Sequence, residues 1–434
     1  MSMLNSLTVG ASALRAEQSK FDSISNNISN VNTTGFKSTN INFIDQFSQM
    51  LNLGKAPDTT GGKGIGGINP MQIGLGVKAG SITTNMSQGT LQTTNRSLDL
   101  ALQGDGYFVY KNNSNFNSQN LFSRAGVLTQ DKQGFLVDSN SGAYLQGYGV
   151  TKNSAGVNIV NNNAPLSNLQ VDPNTKSAPQ QTKNVVVGGN LDPAMAATDT
   201  KQTSITVYDT NGASHTALLT FTKTATANQF SLDVTLDNTA VGAQTTVTFN
   251  ADGTIQTPTS LTLLTADLNT SLGSTTAFAK DITMNFTDPN SVTSGLTQFA
   301  GNSTVTASSQ DGYQSGSLND MTIDKSGQIW GNFTNGQSEV LGQVAVAKFT
   351  NPSALAKVGQ NFLTESPNSD KAVISTAAEG FPSTSIVSGA LEQSNVDLTN
   401  EFTEMISTQR AFEAASRIIT VSDQLLTDIT SLKR

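Results

Sequence analysis

The sequence predicts a mainly β protein with an α-helix at each end, built as a nested, elongated chain of several domains. Apolar residues recur every seven positions near both termini, which is typical of helices that pair along a narrow apolar seam. Between these ends the chain is rich in Thr, Asn, Ser and Gly, and its short alternating segments are typical of half-buried strands. Cysteine is absent, so stability must come from packing and assembly rather than from disulfides.

The N-terminal helix is predicted from about residue 3 to residue 31, and Gly35 follows its end, where a positive φ is useful. A helix of this kind needs a partner, because most helical stability in water comes from packing an apolar face. The seam residues are Leu4, Leu7, Ala11, Leu14, Phe21 and Ile28.

The C-terminal helix carries the matching seam, and we expect the two helices to pair as a coiled-coil-like inner domain. Asn395 or Asp397 is placed to cap its start. Gln409 and Arg410 lie beside the seam, where the guanidinium could bond carboxylates or carbonyls of a neighbouring helix. The seam residues are Leu398, Phe402, Met405, Phe412, Ile419 and Leu426. Periodicity alone equally fits terminal helices that dock on the protein's own core.

Residues 36–75 are predicted to form a linker or arm, and the irregular apolar pattern of its first part fits either a short helix or an extended segment. The glycine-dense stretch from Gly54 to Gly67 reads as a flexible loop. Lys63 within it lacks the spacing of a Walker motif and the hydroxyl residue that should follow, so a linker is favoured over a nucleotide site.

The remaining chain is predicted to form two β-domains, one inserted into the other. A discontinuous domain comprises residues 76–149 and 296–394, with Asp105-Gly106 reversing the chain between two apolar strands. Residues 150–295 form an inserted outer β-barrel or sandwich. The terminal segments, 1–35 and 395–434, complete the nested order as the helical inner domain.

Composition and residue types favour no catalytic, metal or cofactor site, so we do not expect an enzyme. The net charge of −8 and the absence of a basic run argue against nucleic-acid binding. No apolar run has the length of a membrane span, and no secretory signal is recognisable. His215 is the only histidine and is expected on the solvated surface. Asp209 and Gly212 belong to a turn rather than to a calcium loop, since the far bidentate acid is missing.

Two terminal motifs, correctly ordered at opposite ends, resemble the signatures of the bacterial flagellar rod and hook protein family. The first runs from Ser23 to Lys37, and the second combines Leu391 to Leu398 with Glu404 to Phe412. Internal blocks are also similar to this family, and the later ones resemble its hook members in particular: Leu100–Val109, Phe122–Gly126, Leu145–Tyr148 and the stretch from Gln310 to Phe362. The resemblance covers about 1–149 and 296–434.

The resemblance implies a structural subunit that polymerises with its own copies into a hollow helical tube, a flexible joint that transmits torque from rod to filament. It further implies export without a cleaved signal peptide through the flagellar type III apparatus. Rod, hook cap and hook-filament junction proteins are its implied partners, outside the cell. The seam residues and Gln409 with Arg410 would then be subunit contacts. Two alternatives stay open: a distal rod-type protein of the same family, and an extracellular β-rich adhesin.

Overall fold

The computed structural model describes residues 2–57, 66–112, 119–153, 157–287 and 295–432, without the side chains of residues 2–4 and 432. The chain divides into two compact units. Unit 1 comprises Met1–Asp172, Met321–Trp330 and Val340–Arg434. Unit 2 comprises Pro173–Asp320 and Gly331–Glu339. The four-part division expected from the sequence stays a prediction.

The described elements follow one another along the chain as three groups. The first group is α1 (Ser2–Ser29), β1 (Thr39–Asp45), β2 (Ser48–Asn52), β3 (Met71–Gly74), β4 (Val77–Thr84), β5 (Leu91–Thr93), β6 (Leu100–Gln103), β7 (Tyr107–Lys111), β8 (Asn120–Ser123), β9 (Leu128–Gln130), β10 (Leu136–Asp138), β11 (Tyr144–Tyr148), β12 (Val150–Lys152), β13 (Asn158–Val160) and β14 (Ser167–Asn168). The second is β15 (Lys176–Ser177), β16 (Asn184–Asn190), β17 (Thr200–Tyr208), β18 (Ser214–Lys223), β19 (Gln229–Leu236), β20 (Thr239–Ala240), β21 (Thr245–Phe249), β22 (Ile255–Thr257), β23 (Ser260–Leu263), α2 (Thr265–Ser271), β24 (Ile282–Asn285), β25 (Leu296–Thr297), β26 (Thr306–Gln310) and β27 (Gly316–Ile323). The third is β28 (Gln328–Phe333), β29 (Ser338–Lys348), a 3₁₀ turn (Pro352–Ala354), β30 (Ala356–Gly359), β31 (Phe362–Thr364), β32 (Val373–Thr376), β33 (Ser385–Ser388), β34 (Ala390–Glu392) and α3 (Leu398–Leu432).

The class predicted from the sequence is confirmed: the protein is mainly β, with a long helix at each end. Both terminal helices lie in unit 1, where they pack against each other. None of the described helices combines the length and apolar content needed to cross a membrane.

An extended ribbon follows α1, which settles the choice between helix and arm for the segment after residue 36. Strands β1 and β4 pair antiparallel, and β2 and β3 continue the ribbon beyond them. Helix α1 lies on this ribbon: the Ser12 hydroxyl accepts the Val77 amide at 3.3 Å, and the Ser23 hydroxyl donates to the Thr39 carbonyl at 3.1 Å. Residues 58–65, which include Lys63, lie outside the described part of the chain.

The main sheet of unit 1 places β29, β11, β7, β8, β31 and β30 side by side. Its central strands β7 and β11 are buried along nearly their whole length, and fully buried side chains include Phe108, Tyr110, Phe122 and Leu145. The phenol of Tyr110 donates to the Ala125 carbonyl at 2.8 Å, so its polar end is satisfied inside this core.

The predicted chain reversal at Asp105-Gly106 implies a β-hairpin. That prediction is wrong, because β6 and β7 do not pair with each other. Strand β6 pairs with β33, whereas β7 pairs with β8, β11 and β29. The chain passes from one sheet to another at this point. A Cβ at Gly106, whose φ is +145°, would lie 2.7 Å from Cγ1 of Val346. Glycine is therefore needed for close packing and for backbone freedom, rather than for a two-residue turn.

Unit 2 consists of two sheets around one apolar core. One sheet has the order β17, β18, β19, β21 and β22, and in the other β16 lies between β24 and β26. The core draws on both sheets and includes Val187, Phe221, Phe230 and Met284. Two packed sheets with inward alternation correspond to the predicted sandwich-like architecture.

Two polar features of unit 2 have clear structural roles. The Asp209 carboxylate accepts the amides of Asn211 and Ala213 at 2.9 and 2.8 Å, so it stabilises a turn, as expected. His215 is not a solvated surface residue: its side chain is 16% exposed, and Nδ1 lies 2.7 Å from Oδ2 of Asp237. The predicted surface position is wrong because the imidazole ring of His215 packs against the Phe278 ring, with 5.7 Å between the ring centroids.

Candidate assembly surface

The terminal helices form an antiparallel pair, held at both ends by polar contacts. Ser6 at the start of α1 lies 3.1 Å, hydroxyl to hydroxyl, from Ser422 near the end of α3. Toward the other end, Lys20 pairs with Glu404 at 3.3 Å. There the side-chain amide of Asn27 donates to Glu401 at 2.9 Å. Burial raises the pKa of Glu401, and the bond from Asn27 opposes this shift.

Small side chains form the tightest part of the helix contact. Thr408, Ala415 and Ser422 are buried at a seven-residue spacing on α3, and Ala16 is buried on α1. Gly10 lets the helices approach closely, because a Cβ there would lie 3.0 Å from Cγ1 of Ile419. Thr408, Ala415 and Ser422 form a buried line on α3. Each of them lies three residues after a predicted seam residue: Met405, Phe412 and Ile419. Hydrophobic periodicity missed it because small and hydroxyl residues carry little apolar signal.

The predicted interface residues divide into two sets by exposure. Phe21, Leu398, Phe402 and Phe412 are 39–49% exposed, and Gln409 and Arg410 are also exposed. The others are partly buried: Leu7, Ala11, Leu14, Ile28, Met405, Ile419 and Leu426. The side chain of Leu4 lies outside the described residues, although its backbone belongs to α1. The large apolar side chains are thus left on the outside of the pair. Their role as subunit contacts stays a prediction.

Four of the predicted residues come together in one groove between the helices. Phe21 contributes from α1, and Met405, Gln409 and Phe412 contribute from α3, around a volume of about 500 Å³. Glu17 and Asp22 lie along the α1 side of this groove. Burial raises the pKa of Glu17, and the charge of Lys20 opposes that shift.

A second exposed apolar stripe runs along the last part of α3. Its members recur at spacings of three and four, so they share one side of the helix. Each is 46–52% exposed: Ile418, Val421, Leu425 and Ile429. A helix that leaves such a stripe in water gains little from its intramolecular contact alone.

A buried ion cluster joins the end of the N-terminal segment to the start of the C-terminal segment. The Glu392 side chain is fully buried, and it pairs with Lys37 Nζ at 2.6 Å and with Arg124 Nη1 at 3.3 Å. Lys37 also donates to the Ser87 carbonyl at 2.6 Å. Burial lowers the pKa of Lys37, and the hydrogen bond and charge of Glu392 partly offset this.

Asn395 completes this junction through its side-chain amide. Its Oδ1 accepts the Ser38 amide at 2.8 Å, and its Nδ2 donates to the Asn85 carbonyl at 2.9 Å. The cap of α3 is Asp397, whose carboxylate accepts the amides of Thr399 and Asn400 at 2.9 and 3.3 Å. Lys37, Arg124 and Glu392 lie in separate sequence motifs, and no local pattern in the sequence indicates that they meet.

Among the described residues, no group of three or more His, Asp or Glu side chains is arranged to hold a metal ion. The geometry instead defines a helix pair with exposed apolar faces, fixed to a β unit by a buried ion cluster.

Three family models match this chain in the order expected from its motifs. A model described as flagella basal body rod protein matches residues 7–37. The flagellar basal body protein FlaE D2 domain matches residues 168–313. The flagellar basal body rod FlgEFG protein C-terminal model matches residues 387–432. The two end models cover the helix pair and both sides of the ion cluster, so the chain is of the axial class of flagellar proteins.

Similar proteins extend over the whole chain. The flagellar hook protein FlgE of Treponema pallidum is 36% identical and covers 100% of both chains. That of Borreliella burgdorferi is 33% identical over 99% of this chain and 100% of its own. That of Escherichia coli is 31% identical over 97% of this chain and 98% of its own. The chain belongs to the flagellar hook protein family.

A solved structure is also similar. The crystal structure of the Helicobacter pylori flagellar hook protein FlgE2 aligns over 70% of this chain and 100% of its own. Its TM-score is 0.46 and its sequence identity is 15%.

Proposed function

We propose that this hook-family subunit polymerises through its terminal helices into a hollow helical tube that bends while it transmits torque from rod to filament. The observation that carries the proposal is the exposure of the large apolar side chains on α3. The intramolecular contact of α3 uses small residues, so about half of the surface of its exposed large apolar side chains has no partner within the described chain. Identical copies supply that partner.

The size of the effect is adequate for assembly. Fully burying a Leu, Ile or Phe side chain contributes roughly 1.5–3 kcal/mol. The exposed side chains on α3 are about half exposed, so each still has roughly 1 kcal/mol to gain on association. Several such residues on every copy, in contact with more than one neighbour, offset the loss of translational and rotational freedom.

An open tube follows from the kind of contact. Patches at different places on the same chain, the α3 stripe and the groove near Phe21, favour head-to-tail association. Head-to-tail contacts that do not close into a ring generate a helical filament. The β-domains are proposed to form outer layers, whose weakly charged surfaces slide against neighbouring subunits during bending.

The partners and location follow from this role. We propose contacts with copies of the same chain, with the flagellar rod, the hook cap and the hook-filament junction proteins. The subunit reaches its site outside the cell through the flagellar type III export apparatus without a cleaved signal peptide. It acts as a structural element, with no catalytic step, no nucleic acid and no insertion into a membrane. Gln409 and Arg410, both exposed, are proposed subunit contacts.

The substitution Phe412→Asp tests the proposal, with Phe412→Leu as the matched control. A charge in the groove shared with Phe21 and Met405 is expected to abolish tubes, because a buried unpaired carboxylate is strongly unfavourable. The control keeps the apolar contact and assembles. Tubes are scored by electron microscopy of structures sheared from cells that carry only the variant gene. Circular dichroism of the purified subunit checks that the β units remain folded. Normal tubes from a folded Phe412→Asp subunit would overturn the proposal.

A further inference from the structure

A basic pocket lies in unit 1 where the chain leaves α1. It has a volume of about 330 Å³, and its walls include Phe36, Lys37, Tyr107, Arg124, Lys357 and Asn361. Three of these side chains are cationic. Within the described part of the chain, the only carboxylate that pairs with any of them is that of Glu392.

Lys357 is the cation that lacks an anionic partner. It forms no ion pair with any described residue, and its Nζ lies 5.3 Å from the centroid of the Phe36 ring. Lys357 is an exposed residue, and partial burial of its ammonium group lowers its pKa. A ring face compensates such a cation less fully than a carboxylate does.

Arg124 adds a second unsatisfied group to the same walls. Its side chain is 5% exposed, and Nη1 reaches Glu392, but its Nε is buried without a hydrogen-bond partner. Its guanidinium carbon lies 5.5 Å from the centroid of the Tyr107 ring. With Lys37, Arg124 and Lys357 against one carboxylate, the walls carry a surplus of positive charge. Lys37 and Arg124 are buried and share the single carboxylate of Glu392, whereas Lys357 is exposed at the pocket wall. The resulting surplus of positive charge favours entry of an anion.

We propose that the basic pocket binds a carboxylate side chain of a second copy of this chain. The inference rests on the proposed function, because only assembly brings another copy to this place. Two observations favour that source. The pocket lies immediately after α1, beside the helix pair assigned to subunit contacts, and the chain carries a net charge of −8. Exposed acids on the outside of α3 supply candidates: Glu413, Asp423 and Asp428.

Carbodiimide coupling of assembled tubes tests the contact directly. The reagent condenses a carboxylate with a lysine amine only where the two already touch. Tubes are grown from a mixture of ¹⁴N and ¹⁵N subunits, and peptides are analysed by mass spectrometry. We expect mixed-isotope adducts that join Lys357 to an acidic residue, and none from dispersed subunits. Lys357→Arg keeps the positive charge and is expected to assemble without the adduct.

Charge reversal gives a second measurement. Lys357→Glu is expected to raise the subunit concentration needed for assembly about tenfold or more, because a like charge replaces an attractive contact. Lys371→Glu, at an exposed lysine outside the pocket, is the control and is expected to change the subunit concentration needed for assembly by less than about twofold. Tubes with adducts at Lys371 but none at Lys357 would overturn the inference while leaving the proposed function intact.

A free anion is the other source of the same chemistry. Acetate is titrated into the dispersed subunit while the ammonium signal of Lys357 is followed by NMR. Saturable acetate binding together with the absence of the Lys357 adduct in tubes would assign the pocket to a free anion and overturn the second-copy contact. Failure of every subunit to form tubes would instead count against the proposed function.

Discussion

Glu392 holds together parts of the chain that are remote in sequence. It is fully buried, yet both carboxylate oxygens have partners: Oε1 accepts from Lys37 and from the Gly89 amide, and Oε2 accepts from Arg124. A carboxylate in this position is tolerated only because these donors replace water. Removing its charge leaves two buried cations without compensation.

Glu392→Gln is therefore expected to destabilise unit 1 by about 3–5 kcal/mol, the usual effect of breaking a buried ion pair. Urea unfolding followed by Trp330 fluorescence measures the change, because this single tryptophan lies in unit 1. Glu413→Gln, at an exposed position of α3, is the control and is expected to change stability by less than about 0.5 kcal/mol. Equal stability of the two variants would show that the cluster contributes nothing.

Asp237 provides a pH-dependent contribution in unit 2. Its hydrogen bond with His215 is the chief cause that lowers its pKa below the usual value near 3.8, and the Thr216 amide adds to the effect. A lowered carboxylate pKa in the folded state stabilises the protein above the unfolded pKa. That contribution disappears as the pH falls through the folded pKa.

Asp237→Asn should accordingly be less stable than the native chain at pH 7, and the difference should shrink below about pH 4 and be lost as the pH falls through the lower folded-state pKa. Differential scanning calorimetry at a series of pH values measures it. The side chain of Asp237 is 45% exposed, so solvent screening keeps the effect small. A difference that grows toward low pH would contradict the assignment.

The helix pair shows how one element can serve two contacts. Small residues on α3 allow close approach to α1, and the large apolar residues remain on the outside. Large side chains at the buried positions would strengthen neither contact, because they would push the helices apart. The buried line of small residues and the exposed apolar stripe therefore have separate roles on α3.

A matched pair of substitutions on neighbouring residues separates these roles. Ala415→Leu inserts volume into the buried line and is expected to destabilise the helix pair by about 1–3 kcal/mol. Ala414→Leu adds the same atoms at an exposed position and is expected to have little effect. The readout is the distance between spin labels on cysteines introduced into α1 and α3, since the native chain has none. Identical distances between the spin labels in the two variants would refute close packing of α1 against the buried line of α3.

The two-stranded ribbon after α1 also exposes large apolar side chains. Phe47 is 84% exposed and Leu53 is 77% exposed. A two-stranded ribbon is marginally stable by itself in water. Its attachment to α1 through Ser12 and Ser23 therefore contributes to its order.

At the scale of the whole molecule, local stability is expected to be uneven. The core of unit 2 is continuous and its strands are buried by alternation, whereas α3 has one covered face. Elements with few buried apolar contacts open at lower free energy than core strands do.

Hydrogen exchange measured by mass spectrometry checks this expectation. In the dispersed subunit, amides in the second half of α3 are expected to exchange much faster than those in β18 and β19. In assembled tubes, α3 is expected to become strongly protected and the two strands to change little. Full protection of α3 in a verified monomer would mean that its stripe already has a partner.

Local patterns in the sequence were sufficient for the elements. The β character predicted between the two ends was confirmed, because short segments of alternating apolar residues indicate half-buried strands. Gly35 takes the positive φ expected after α1, at +70°. The Asp105-Gly106 prediction failed, because a turn residue does not reveal which strands will pair.

The sequence by itself determined the helical ends, the β character between them, the absence of disulfides and the family motifs. Each of these depends on neighbours within a few residues or on composition. Only the tertiary structure decided that Glu392 meets Lys37 and Arg124, from which it is separated by 355 and 268 residues. It also decided that Thr408, Ala415 and Ser422 face α1, because that choice depends on how closely two helices can pack, a property that hydrophobic periodicity does not contain.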